Sequence, residues 1–132
     1  MTYPDIAIQA LINSLMDDEE AYAWLAASKW KELAALDDVL YANNNADAIG
    51  FLIGNKEKFP TVVNFLGALK KQKKAFDLLM ETDKVWAAVV NAVHRSEDAY
   101  DWLVSNNYPL YAKLAEVLID NTPVYKPNAM TI

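Results

Sequence analysis

His94 is the only histidine in the chain, and Glu97 and Asp98 follow it by three and four residues. On an unbroken helix these side chains would share one face, a rudimentary metal or acid–base cluster. Ser96 intervenes, however, and with Glu97 and Asp98 behind it reads as a helix N-cap with acids complementing the helix dipole. His94 is therefore expected to close one helix rather than to ligate. The runs Asp17-Asp18-Glu19-Glu20 and Asp37-Asp38 invite a calcium reading. They lack the alternating carboxylates, central glycine and final glutamate of a calcium loop, and the first run suits a helix start. Because the chain has no cysteine, disulfides, thiolate metal sites and cysteine nucleophiles fall away together. No Gly-rich phosphate loop occurs. No metal and no cofactor is expected. The residues left for catalysis, Asp, Glu, Lys, Ser and Tyr, have no spacing that ranks them, so a small-ligand carrier or enzyme is the weakest reading.

Lysine gives the denser signal. Lys70, Lys71, Lys73 and Lys74 flank Gln72, and Lys56 and Lys58 stand one helix earlier. Net charge is −6 with a pI near 4.6, which argues against nucleic acid as a partner. The charge is zoned: residues 1–54 carry −7, residues 55–74 carry +5, and residues 75–132 carry −4. The lysines have no arginine or interleaved aromatics among them, so they suit an acidic protein surface, including the acidic end of another copy. Tyr22, Tyr41, Tyr100 and Tyr111 are expected at the edges of helical stripes, where a ring gives contact area at modest entropic cost. The candidate partner-binding residues are Lys56, Lys58, Lys70, Lys71, Lys73, Lys74, Tyr22, Tyr100 and Tyr111.

The elements that position these residues recur along the chain. Ala21-Tyr22-Ala23-Trp24-Leu25, Ala48-Ile49-Gly50-Phe51-Leu52, Ala75-Phe76-Asp77-Leu78-Leu79 and Ala99-Tyr100-Asp101-Trp102-Leu103 start 27, 27 and 24 residues apart. Each is followed by an aromatic (Trp30, Phe59, Trp86, Tyr108) that opens an apolar stripe: Leu33, Leu36 and Leu40; Val62, Phe65 and Leu69; Val89 and Ala92; Tyr111, Leu114 and Leu118. This spacing describes a short helix and then a longer amphipathic one. Pro60 and Pro109 suit first helical turns, Asp17 or Asp18, Asn45, Asp83 and Ser96 suit N-caps, and Gly54 and Asn106-Asn107 suit helix ends. The seven aromatics Trp24, Trp30, Trp86, Trp102, Phe51, Phe59 and Tyr108 are expected in the core, with Leu78 beside them, and the repeated alanines where helices cross closely.

One such unit cannot stand alone. Its few large apolar side chains are worth ~1.5–3 kcal/mol each when buried, against a backbone entropy cost of ~1–2 kcal/mol per residue ordered. The units must stack. The expected fold is all-α: a right-handed-type helical repeat array (an α–α superhelix, solenoid-like) forming one domain over residues 1–120. It comprises a capping helix over 4–16 carrying Ile8, Leu11, Ile12 and Leu15, repeats over 18–43, 45–71, 73–94 and 96–119, and an extended tail over 121–132. In architecture alone residues 21–119 resemble α-helical arrays of the tetratricopeptide, HEAT or leucine-rich-variant kind, though none of those signatures is present. The resemblance implies a scaffold and brings no site residues with it.

No apolar run approaches the ~20 residues of a membrane span, and no basic, greasy leader opens the chain. The expected protein is soluble and cytoplasmic. Its expected function is a non-catalytic protein-interaction module, or alternatively a homo-oligomeric structural protein joined through its acidic and basic zones.

Overall fold

The computed structural model describes residues 3–42 and 45–121; the tail expected over 121–132 lies outside them apart from Asn121. Among the described residues there are nine helices and no strand. They are α1 (Asp5–Leu15), α2 (Glu19–Ala27), α3 (Lys31–Ala42), α4 (Ala46–Gly54), α5 (Pro60–Leu69), α6 (Lys73–Thr82), α7 (Lys84–Val93), α8 (Glu97–Ser105) and α9 (Pro109–Asn121). No helix is long and apolar enough to cross a membrane.

Local chemistry sets most of these boundaries. Pro60 and Pro109 begin α5 and α9, where the missing N–H costs nothing. The side chains of Asp18, Asn45 and Ser96 accept backbone N–H groups at the starts of α2, α4 and α8. Asp83 holds the N-cap position of α7 as expected but makes no side-chain cap hydrogen bond there, and its carboxylate accepts the Thr61 hydroxyl at 2.7 Å. Gly54 is the last residue of α4.

Four turns share one backbone device. Asp17, Lys71, Arg95 and Asn107 have left-handed φ values of 70°, 65°, 77° and 67°. The next N–H in each case bonds to the carbonyl five residues back: Asp18 to Asn13, Gln72 to Gly67, Ser96 to Asn91 and Tyr108 to Leu103. This closure normally carries glycine, since other residues are strained there. Asp17 is doubly mismatched, because its charge also faces the negative end of the α1 dipole. Asp17→Gly is therefore expected to raise stability by about 1 kcal/mol. A urea titration checks this, and an unchanged or lower midpoint would contradict it.

Packing sorts the helices into two layers. Helices α1, α3, α5, α7 and α9 each pack on the next of this set, and α1 also packs on α9, so the five close a circuit. Helices α2, α4, α6 and α8 lie outside, each bridging its two sequence neighbours. The α1–α9 contact sets the helix expected as an N-terminal cap against the last helix of the described residues. An array stacked in one direction leaves its first and last helices several steps apart.

The inner helices run in one direction. Near their N-terminal ends Tyr3 meets Glu32 at 2.7 Å, Thr61 meets Asp83 at 2.7 Å, and Trp86 meets Tyr111 with ring centroids 5.6 Å apart. Further along, Ser14 near the end of α1 meets Asp37 in the middle of α3, and at the C-terminal ends of α5 and α7 His94 meets the Leu69 carbonyl at 3.1 Å.

The inner stripes are buried throughout, as Ile8, Leu11, Ile12, Leu15, Leu33, Leu36, Leu40, Val62, Phe65, Leu69, Val89, Leu114 and Leu118 show. Each outer helix sends in one large side chain, Leu25, Leu52, Leu79 or Leu103, none more than 1% exposed. The residue before that leucine cannot point the same way on a helix. Hence Trp24, Leu78 and Trp102 are 41%, 38% and 39% exposed rather than buried, and Phe51 is half-buried. Of the seven aromatics expected in the core, Trp86 alone is fully enclosed. The close crossing expected at the motif alanine is seen at Ala75: a Cβ on Gly67 would fall 2.8 Å from its Cβ.

Candidate functional site

An acidic trough runs from the C-terminal end of α1 along α3 between Lys31 and Asp38 to the start of α4. Ser14 and Asp37 are buried on the apolar faces of α1 and α3, and the Ser14 hydroxyl donates to the Asp37 carboxylate. Beside them the Tyr22 hydroxyl on α2 donates to Asp38 at 2.8 Å, which pushes the Tyr22 pKa up to about 12. Two clefts of about 460 Å³ adjoin at this Tyr22–Asp38 bridge. One is lined by Ser14, Asp17, Asp18, Glu19 and Asp37, the other by Lys31, Asn45, Asp47 and Phe51 among others.

Burial raises the Asp37 pKa above the usual carboxylate range, the Ser14 hydrogen bond opposes the rise, and the charges of Asp38 and Asp17 add to it. A folded pKa above the unfolded value contributes stability below the unfolded pKa, and that contribution is lost as pH rises through the folded value. At neutral pH the Asp37 charge therefore weakens the fold. Asp37→Asn keeps an acceptor for Ser14 and is expected to raise Tm by a few degrees at pH 7. The gain should vanish in acid, where Asp37 is protonated, and a thermal melt at both pH values reads this. A lower Tm at pH 7 would contradict it. The same geometry argues against Ser14 as a nucleophile, since it is buried and gives its proton to a carboxylate inside the wall.

The structure divides the lysines that sequence placed together. Lys70, Lys71, Lys73 and Lys74 are exposed at the α5–α6 turn, at the same end of the circuit as Asp17 at the margin of the trough. Lys56 and Lys58 are exposed at the opposite end of α5, about 15 Å away along that helix. Lys73 pairs with Asp77 at 2.7 Å; no ion pair engages Lys70, Lys71 or Lys74 among the described residues.

The tyrosines also separate. Tyr22 lies in the trough, whereas Tyr100 is half-buried with its hydroxyl donating to Glu116 at 3.1 Å, a bond that raises its pKa. Tyr111 is 5% exposed and packed edge-on against Trp86, so it belongs to the core and offers no ring to a partner. The Tyr41 side chain lies outside the described residues. His94 ends α7 as expected, and its Nε2 donates to the Leu69 carbonyl. Helix α8 begins only at Glu97, so the spacing that suggested a His94–Glu97–Asp98 cluster does not survive. No group of three or more potential ligand side chains is placed to hold a metal among the described residues.

Sequence reasoning overlooked Ser14 as a partner of Asp37 and missed the N-terminal cluster of Tyr3 and Glu32 altogether. A signal existed for the first pair. Ser14 stands three residues after Leu11, and Asp37 stands four after Leu33 and three before Leu40, so both are polar residues on buried stripes. Comparison with known proteins finds no family model, no curated protein and no solved structure that matches this chain.

Proposed function

We propose that the chain is a non-catalytic interaction module that receives a lysine- or arginine-bearing segment of a protein partner in the trough beside α2, α3 and α4. One observation carries this reading. Asp17, Asp18, Glu19, Asp37, Asp38 and Asp47 line the two adjoining clefts, with Lys31 the one base among their lining residues. Helix dipoles account for Asp18, Glu19 and Asp47, which stand at or next to the starts of α2 and α4. They do not account for Asp37 and Asp38, which lie in mid-helix, Asp37 at a cost to the fold. Such an excess of one sign raises the local concentration of the other and steers it in.

A lysine-rich peptide titrated calorimetrically into the protein tests this. Binding should weaken at least tenfold between about 0.05 and 0.5 M salt, since screening shortens from about 14 to 4 Å. Asp38→Asn should weaken it further at low salt. Glu97→Gln combined with Asp98→Asn, which removes two charges outside the trough, should not. Equal losses from both changes, or no binding at low salt by monomeric protein, would reject the reading.

We further infer that the four helix pairs are true repeats, bent into a circuit. Three pairs make the same ring contact between the motif's large residue and the following aromatic: Trp24–Trp30, Phe51–Phe59 and Trp102–Tyr108, at 5.8, 5.7 and 5.9 Å. The buried leucine recurs in all four, and the left-handed turn leading into the outer helix recurs at Asp17, Lys71 and Arg95.

A further inference from the structure

Asp17–Glu20, at one margin of the trough, and Lys70, Lys71 and Lys74, which have no ion pair among the described residues, lie at one end of the molecule. Parallel inner helices bring the end of α1 (with Asp17–Glu20 leading into α2) and the end of α5 (with Lys70–Lys74 leading into α6) to the same side of the circuit. Val39 on α3 and Leu66 and Lys70 on α5 line one small cleft. Within one chain the trough acids and these lysines make no ion pair with each other among the described residues.

We propose that this end is the interface of a homodimer, with a second copy of the chain as the partner whose lysines the trough receives. The inference rests on the interaction reading above and names its occupant. A two-fold axis running through the end, between the zones, sets the trough of one copy over Lys70, Lys71 and Lys74 of the other, and the reverse contact forms by the same rotation. Both zones are satisfied at once, which a basic peptide alone would not achieve. A partner with only basic charge would leave the lysines facing it and repelling it, so a chain carrying both signs in this layout is the better complement. The contact is largely exposed and charged, so it should be salt-sensitive.

Sedimentation of the full chain tests the proposal. The protein should be a dimer at low salt and high concentration and a monomer at about 0.5 M salt. Lys70→Glu with Lys74→Glu should be monomeric at low salt, and so should Asp17→Lys with Glu20→Lys, which spares the Asp18 cap. Mixed in equal amounts, the two reversed proteins should recover a dimer, because each restored contact again joins opposite signs. Circular dichroism confirms that each variant is folded, so a monomer cannot be mistaken for a damaged chain. A monomeric wild type at low salt, reversed variants that still dimerise alone, or a mixture that stays monomeric overturns the proposal. The lysine-rich peptide titration separates the two ideas. A monomer that still binds the peptide refutes the dimer and leaves the module reading standing, whereas a monomer that does not bind it refutes both.

Discussion

Trp86→Ala is expected to cost about 3–5 kcal/mol, the range for deleting a large buried aromatic. Trp86 is 1% exposed and meets Phe65, Tyr111 and Tyr3 edge-on at 4.8, 5.6 and 5.9 Å. Those rings come from α5, α9 and the segment before α1, so one side chain joins elements from both ends and the middle of the chain. The surrounding helices also contact one another and cannot all move inward, which leaves a cavity. Domains of this size have ~5–15 kcal/mol to lose, so the variant should be partly unfolded at room temperature or melt far earlier. Trp86→Phe should be much milder than its lost volume suggests. The indole Nε1 is buried with no partner among the described residues, and removing it relieves that cost. Urea titrations followed by helical circular dichroism give both values. A loss below about 1 kcal/mol for Trp86→Ala would show that Trp86 is not a hub.

The second large effect concerns Tyr3. Its hydroxyl donates to Glu32 at 2.7 Å, and Glu32 is 5% exposed with its other oxygen, Oε1, unpartnered among the described residues. Tyr3→Phe strips this hydrogen bond from a buried carboxylate and should cost about 1–3 kcal/mol. Tyr3→Ala also removes a ring that is 4% exposed and packed on Trp86, and should cost about 3–5 kcal/mol. Glu32→Gln should recover part of the Tyr3→Phe loss, because no charge is then stranded, and a double-mutant cycle isolates that term. Full additivity of the two changes would contradict the pairing. The pH dependence has a fixed sign. Burial, then the Glu32 hydrogen bond, raises the Tyr3 pKa, and burial pushes Tyr111 up to about 12. Their contribution is complete below the ordinary tyrosine value near 10 and is lost as pH rises towards the folded values. The wild type should therefore unfold in alkali together with the appearance of phenolate absorbance, and Tyr3→Phe should flatten that limb.

Much of this organisation was legible in residue order. Apolar stripes at helical spacing, with Pro60, Pro109, Asp18, Asn45 and Ser96 as punctuation, located the helices to within a few residues. A stripe says that a face is buried but not which helix covers it. For that reason the packing of α1 on α9 is not legible in residue order, and α1 reads only as a terminal cap. The outward turn of Trp24 and Trp102 follows from single-residue geometry beside Leu25 and Leu103, yet ring size alone had suggested core. Neighbourhood in sequence also misled at Lys56 and Lys58, which α5 carries to the other end of the molecule. Tyr3 gave no periodic signal at all, because it precedes the first helix and works through one long-range hydrogen bond.

Closure of the inner helices underlies the shared end, the hub at Trp86 and the pairing of the charged zones. The absence of cysteine makes it directly measurable. Ile6 on α1 and Lys113 on α9 are exposed, and nitroxide labels on Ile6→Cys and Lys113→Cys report the distance between these helices by pulsed electron resonance. Packed neighbours with axes 8–10 Å apart should give one narrow distribution at about 10–20 Å, label arms included. A distribution centred near ~35–40 Å, the span of four such steps, would mean that α1 and α9 are the two ends of an open array.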